Sequence, residues 1–270
     1  MNKLIKNHAV IDGKTSSPNH FPIDPKDLGS VDIYPKGSFE AGSFQTFKLV
    51  YTAGKYGVDD SGSLRVCFRF ASDQSKPQFD DPKGSNYTTV IASNGAVLNS
   101  RYDPKGNVRP WDKTVYIKVV DGFLKEGDTI TINFGDKSEG SPGMRLQTFC
   151  EDSYEFHTLI DPIATFCYQP VTNQPEIKII PGQPIRFIAV IPSICEVNKG
   201  FAIRIKGEDL WGNPSDQCSQ TFLLKSKTKI KNLPDSITLK NGDFSHTISN
   251  LFSSDEGEIC VEFYDSSNNL

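Results

Sequence analysis

Carboxylates placed on turns are the first residues of this chain with chemistry in them. Asp59-Asp60 and Asp80-Asp81 are paired, and Asp73 and Asp103 stand in similar turn-rich stretches. Carboxylate oxygens gathered this way suit Ca²⁺. Two of them can also act as acid and base on a sugar. The competing reading is that each Asp caps its own turn by accepting from nearby backbone N–H groups. Alongside them come Phe79, Tyr102, Arg109 and Trp111, an aromatic set with a guanidinium fork. Such a surface takes a sugar, a carboxylate or another domain. The alternative is a loop-anchoring knot in which Arg109 pairs with Asp80, Asp81 or Asp112. Phe79, Asp80, Asp81, Tyr102, Arg109 and Trp111 are therefore the candidate binding residues.

Other chemistry finds little support. There is no Gly-x-Ser-x-Gly elbow and no glycine-rich phosphate cradle. The histidines are His8, His20, His157 and His246, and none belongs to a recognisable nucleophile motif. Cysteines at 67, 150, 167, 195, 218 and 260 are too far apart for a zinc knuckle or a redox dithiol. They read as reduced thiols used as small strand residues. No catalytic residue, no metal ligand set and no cofactor is expected, with Ca²⁺ on the Asp-rich loops as the alternative.

The elements that must position these residues are strands. Eighteen Phe and nine Tyr against two Met fit sheets better than helix bundles. Period-two alternation runs through residues 47–52, 64–71, 115–120, 129–134 and 154–159. Each of these can turn one face to a core and the other to water. Turn chemistry separates them at 59–62, 103–106 and 140–143. Two loops are longer than a sandwich needs, Ser72 to Asn86 and Ser100 to Asp112, and they carry the candidate residues.

The fold class expected is all-β: two tandem β-sandwich domains, the second immunoglobulin-like. Residues 1–30 read as an extended arm with Phe21 and Ile23 as apolar anchors. Residues 31–165 form the first sandwich, with long rim loops. Residues 166–175 are a Pro-marked linker. Residues 176–270 form the second sandwich, with strands at 177–180, 185–191, 201–206, 221–225, 236–239 and 258–264. Its last strand is expected to be missing. Asp209, Trp211, Gly212 and Asn213 belong to a structural turn at one end of it. The formal charge of −4 gives no electrostatic case for nucleic acid or an anionic membrane. No apolar run approaches the ~20 residues of a membrane span. No secretory leader is visible, so a cytoplasmic location is the expectation.

The wording of the first unit resembles domain-of-unknown-function family 3604, a bacterial and archaeal family. The segments that carry it include residues 40–47, Phe68-Arg-Phe-Ala-Ser-Asp73, Phe79-Asp-Asp-Pro82, Arg101-Tyr-Asp-Pro104 and Val108-Arg-Pro-Trp-Asp112. Asp209-Leu-Trp-Gly-Asn-Pro214 also resembles a turn of bacterial immunoglobulin-like domains. The family resemblance implies a longer parent protein with a downstream metal-hydrolase-like region of the polymerase-and-histidinol-phosphatase type. Nothing in this chain matches the Gly-Asp-Leu-His strand that opens that region, so no catalytic or metal residue carries over. The expected role is a non-catalytic accessory scaffold that positions or walls the hydrolase-like domain. Its partners would be that domain or another copy through β-edges. The alternative is a stand-alone glycan or small-ligand binding module using rim-loop aromatics and Asp residues.

Overall fold

Alternating apolar residues should pair strands into sheets with one greasy face, and the computed structural model, which describes residues 23–265, has that form. The chain divides into two compact units, at residue 179. Within unit 1 a single 3-10 turn, Pro25–Leu28, precedes the strands. These are β1 Gly29–Tyr34, β2 Ser38–Glu40, β3 Phe44–Gln45, β4 Phe47–Ala53, β5 Ser63–Phe68, β6 Thr88–Ala92 and β7 Val97–Asp103. Then come β8 Lys113–Asp121, β9 Thr129–Phe134, β10 Met144–Arg145, β11 Glu151–Glu155, β12 His157–Asp161, β13 Gln169–Pro170 and β14 Glu176–Ile180. Unit 2 contains β15 Arg186–Val190, β16 Phe201–Glu208, β17 Pro214–Ser215, β18 Gln220–Ser226 and β19 Ile230–Lys231. It ends with β20 Ser236–Leu239, β21 His246–Ser253 and β22 Val261–Tyr264.

In unit 1 a four-stranded sheet, β1-β4-β9-β6, and a five-stranded sheet, β13-β12-β5-β8-β7, contribute to one core. Every pairing in these two sheets is antiparallel. Leu49 and Tyr51 from one sheet and Leu64, Val66 and Ile117 from the other are fully buried. Phe47, Phe68, Phe134, Tyr154 and Phe156 meet at the same core, edge-on or tilted with ring centroids 5.4–5.8 Å apart, except that Phe68 and Tyr154 stack at 6.2 Å. That geometry adds to what their area alone contributes.

Unit 2 has the same design at smaller scale. Sheet β15-β16-β21-β19, with β17 on β16, and sheet β20-β18-β22 bury Ile203, Ile205, Leu239 and Leu251. The fold is all-β, two β-sandwich units in tandem.

Several expected boundaries move. Residues 1–22 of the arm, Phe21 included, lie outside the described residues. The rest of it belongs to unit 1: Ile23 packs on the core, Leu28 is buried, and the Tyr51 hydroxyl donates to the Leu28 carbonyl at 2.7 Å. The 177–180 strand also belongs there. As β14 it lies between β11 and β2, and Ile177 and Ile179 enter the first core. The Pro-marked linker is partly pleated, since β13 pairs with β12 and Val171 is buried. The 154–159 run is two strands. Phe156, fully buried, breaks it, so that β11 joins β14 while β12 joins β5. A chain that changes sheets at a bend makes such a corner.

Candidate functional site

Asp at a turn can bond the backbone N–H two residues on, and two of the candidate carboxylates, Asp81 and Asp103, do so. Asp81 Oδ1 accepts from Lys83 N at 3.0 Å and Asp103 Oδ1 from Lys105 N at 2.9 Å. Asp59 Oδ1 accepts from the N–H of Asp60. Asp73 clamps a remote segment, accepting from Thr148 N and Thr148 Oγ1, each at 2.8 Å. Asp80 is exposed, and its N–H donates to Gln78 Oε1. Among the described residues, no three of His, Cys, Asp and Glu gather where one metal ion could sit.

The long 72–86 loop is a built structure. Ser75 N donates to the Arg145 carbonyl, and Asn86 N donates to the Gly143 carbonyl at 2.9 Å. Asn86 is fully buried with φ 55°, a left-handed backbone that Asn tolerates better than most residues. Its side-chain amide donates to the Ser75 carbonyl at 2.6 Å. Phe79 is half-buried against the core. The second loop is shorter than expected, because β7 runs to Asp103. Tyr102 therefore sits on a strand, packed against the core. Burial, with Asp112 and Asp103 nearby, raises its hydroxyl pKa.

Arg109 and Trp111 come from the remainder of that loop. Arg109 Nε lies 3.4 Å from Asp112 Oδ2, and its guanidinium is 4.8 Å from the Phe70 ring. Trp111 stacks on His157, centroids 4.8 Å apart and planes 15° from parallel. His157 Nδ1 in turn meets Glu155 Oε1 at 2.6 Å. Arg69, paired to Glu151 at 2.9 Å, has its guanidinium carbon 5.5 Å from the Trp111 ring. So Trp111 holds the loop to the sheet through His157 and Arg109 pairs within the loop, while Phe79, Asp80 and Asp81 belong to the separate 72–86 loop. The partners His157, Glu155, Arg69 and Phe70 were outside the candidate set, because nothing in their spacing pairs them with residues 109–111.

The Asp209 turn is held together by the Asp209 carboxylate. Asp209 accepts from Trp211 N (2.9 Å), Asn213 N (2.8 Å), Asn213 Nδ2 (2.8 Å) and Gly182 N (3.2 Å). Gly212 has φ 87°, which favours glycine. Trp211 is 45% exposed. Beside the turn, Glu208 holds Arg186 and Lys206 at 2.7 Å each.

Two concavities stand out. One, of about 450 Å³, lies among Asn94, Asp121, Phe123, Lys125 and Asp128 in unit 1. There Asp128 Oδ2 accepts from Lys125 N and Asn94 Nδ2. The other, of about 400 Å³, lies between the two sheets of unit 2, lined by Phe187, Ala189, Ile205, Phe222 and Phe263.

What fold and site define is a tandem β-sandwich protein whose candidate residues divide between two separate loops and strand β7. No family model matches the chain, and no curated protein matches it. Among solved structures it is similar to the seventh ScaB type I cohesin from Pseudobacteroides cellulosolvens. That similarity has 10% identity and a TM-score of 0.31, over 58% of this chain and 94% of that one.

Proposed function

We propose that this chain is a non-catalytic scaffold, two sandwiches that position or wall the metal-hydrolase-like region of the longer protein implied by its family resemblance. The observation that carries the reading is the open side of unit 2. Strand β22 pairs with β18, and among the described residues no strand takes its other edge. The apolar groove opens between the two sheets, with Phe263 of β22 in its lining. Strand β15 across the groove has four of its five residues exposed, and residues 191–200 after it are exposed throughout. Ile194 is 90% exposed and Val190 55%. Exposed apolar residues beside an apolar groove mark a surface where something docks. An added strand with apolar residues at alternate positions would satisfy the edge and cover Phe187 and Ala189. The occupant this reading names is a segment of the adjoining hydrolase-like region.

The stand-alone binding module gains less support from the candidate residues, because Trp111 is stacked on His157 and Phe79 packs on the core. The test of the scaffold reading is an assay of the purified chain on a phosphoester panel with Mn²⁺ or Zn²⁺ added. No turnover is expected. Robust metal-dependent hydrolysis by the pure protein, lost with no other protein removed, would end the proposal.

A further inference from the structure

The outer face of the five-stranded sheet in unit 1 carries a cluster that neither loop reading uses. In β5 the buried Leu64 and Val66 point to the core, so Ser63 and Arg65 point away from it. The register sets Arg65 opposite Tyr116, Tyr116 opposite Arg101, and Ser63 opposite Lys118. Directly opposite residues share a face, so these five side chains are neighbours. Tyr168, just before β13, folds over them. The Arg65 guanidinium carbon is 3.6 Å from the Tyr168 ring centroid and 5.9 Å from that of Tyr116. The Tyr168 hydroxyl is 2.5 Å from Ser63 Oγ, and the Tyr116 hydroxyl interacts with both.

The charges here do not balance. Arg101 has Asp103 at 3.4 Å. Arg65 and Lys118, both half-buried, form no ion pair with a carboxylate among the described residues. Arg65 has only a long bond to Asn107 Oδ1 at 3.5 Å. The acid opposite Ser63 is Asp161, and its two oxygens are taken up by Thr165 and Phe166. A partly desolvated guanidinium without counter-charge is costly, and a bound anion would relieve that cost. The three hydroxyls share their hydrogens with one another, so an anion would draw a donor from this set by releasing one of its internal bonds.

We propose that Ser63, Arg65, Tyr116, Lys118 and Tyr168 form an oxyanion-binding site for a carboxylate, sulfate or phosphate group on a small molecule or sugar. The edge of the Arg65 fork suits two oxygens of one group, and Lys118 adds a second positive charge. The titration of Tyr116 agrees. Burial pushes its hydroxyl up, but bonds from Ser63 and Tyr168, with Lys118 and Arg65 close by, outweigh it and leave the pKa lowered. The site stands on unit 1 alone and does not depend on the scaffold reading of unit 2.

Calorimetric titration of the full chain at low ionic strength with phosphate, sulfate and galacturonate tests it. Saturable binding of at least one probe is expected, and the arm that binds separates a tetrahedral from a planar oxyanion. Arg65→Gln and Lys118→Gln should each weaken it by about tenfold or more, as loss of a charge-assisted bond does. Lys48→Gln, on an exposed position of β4, should leave it unchanged. Phenolate absorbance should show the earliest tyrosine step moving to higher pH with ligand, and Tyr116→Phe should remove that step. If Arg65→Gln fails to fold, judged by circular dichroism, Lys118→Gln decides alone. No saturable binding of any probe, or equal weakening by Lys48→Gln, would overturn the site.

Discussion

Replacing Asp209 would strip the acceptor from the N–H groups of Gly182, Trp211 and Asn213 together. The residue is almost fully buried, so water cannot replace it freely. Asp209→Ala is expected to cost unit 2 about 3 kcal/mol. Urea unfolding followed by Trp211 emission, with Trp111→Phe to silence the other tryptophan, measures it. The pH dependence has a definite sign. Burial pushes the Asp209 pKa up, but bonds from Asn213, Gly182 and Trp211 outweigh burial and hold it below 3.8. A depressed carboxylate stabilises above its unfolded pKa and loses that contribution as pH falls through the folded one. The gap between wild type and Asp209→Ala should therefore be full at neutral pH and shrink below about pH 4. A gap that persists unchanged into strong acid would deny the carboxylate its role. This turn was legible because an Asp, a Gly and an Asn at fixed spacing have few other uses. Asn86 was not, since its left-handed backbone and its bond to Ser75 depend on a loop returning from far along the chain.

Among the elements, β4, β8 and β9 could be read directly, since each lies on a sheet with one apolar face and one wet face. Strand β21 was missed for a physical reason. Its pairing with β16 shifts register between Phe201 and Ile203, and Asn250 has φ 58°. The buried Ile248 and Leu251 are consequently three apart, so no period of two appears. The second half of β7, from Ser100, was read as loop because its side chains are mostly polar and none is fully buried. Strand β14 was recognised as a strand but assigned to the wrong unit, since alternation shows a buried face without saying which core buries it. The assignment to unit 1 has a direct test. Ile177 is buried there, so Ile177→Ala should destabilise unit 1 by about 3 kcal/mol. The Trp111 signal should move to lower urea and the Trp211 signal should stay. A shift of the Trp211 transition instead would return β14 to unit 2.

At the scale of the whole molecule, two cores of unequal size share one chain. Unit 1 buries a large cluster that includes five aromatic rings in mutual contact, whereas unit 2 has a smaller, mainly aliphatic one. Small sandwiches bury a lower share of their surface and are marginal on their own. Unit 2 also leaves the groove and β15 uncovered. Trp211 should therefore report unfolding at lower urea than Trp111. The same open side argues for association. An edge strand with exposed apolar residues pairs with whatever strand is available, including that of another copy. In the absence of a docking partner, sedimentation should show the wild-type chain moving to larger species as concentration rises. Val190→Asp and Ile194→Asp place charge on side chains that are already exposed, so neither should cost unit 2 much stability. Both should suppress the association. If the wild type instead stays monomeric at every concentration, or the two variants associate as it does, the open side of unit 2 is not a docking surface, and the scaffold reading loses the observation that carries it.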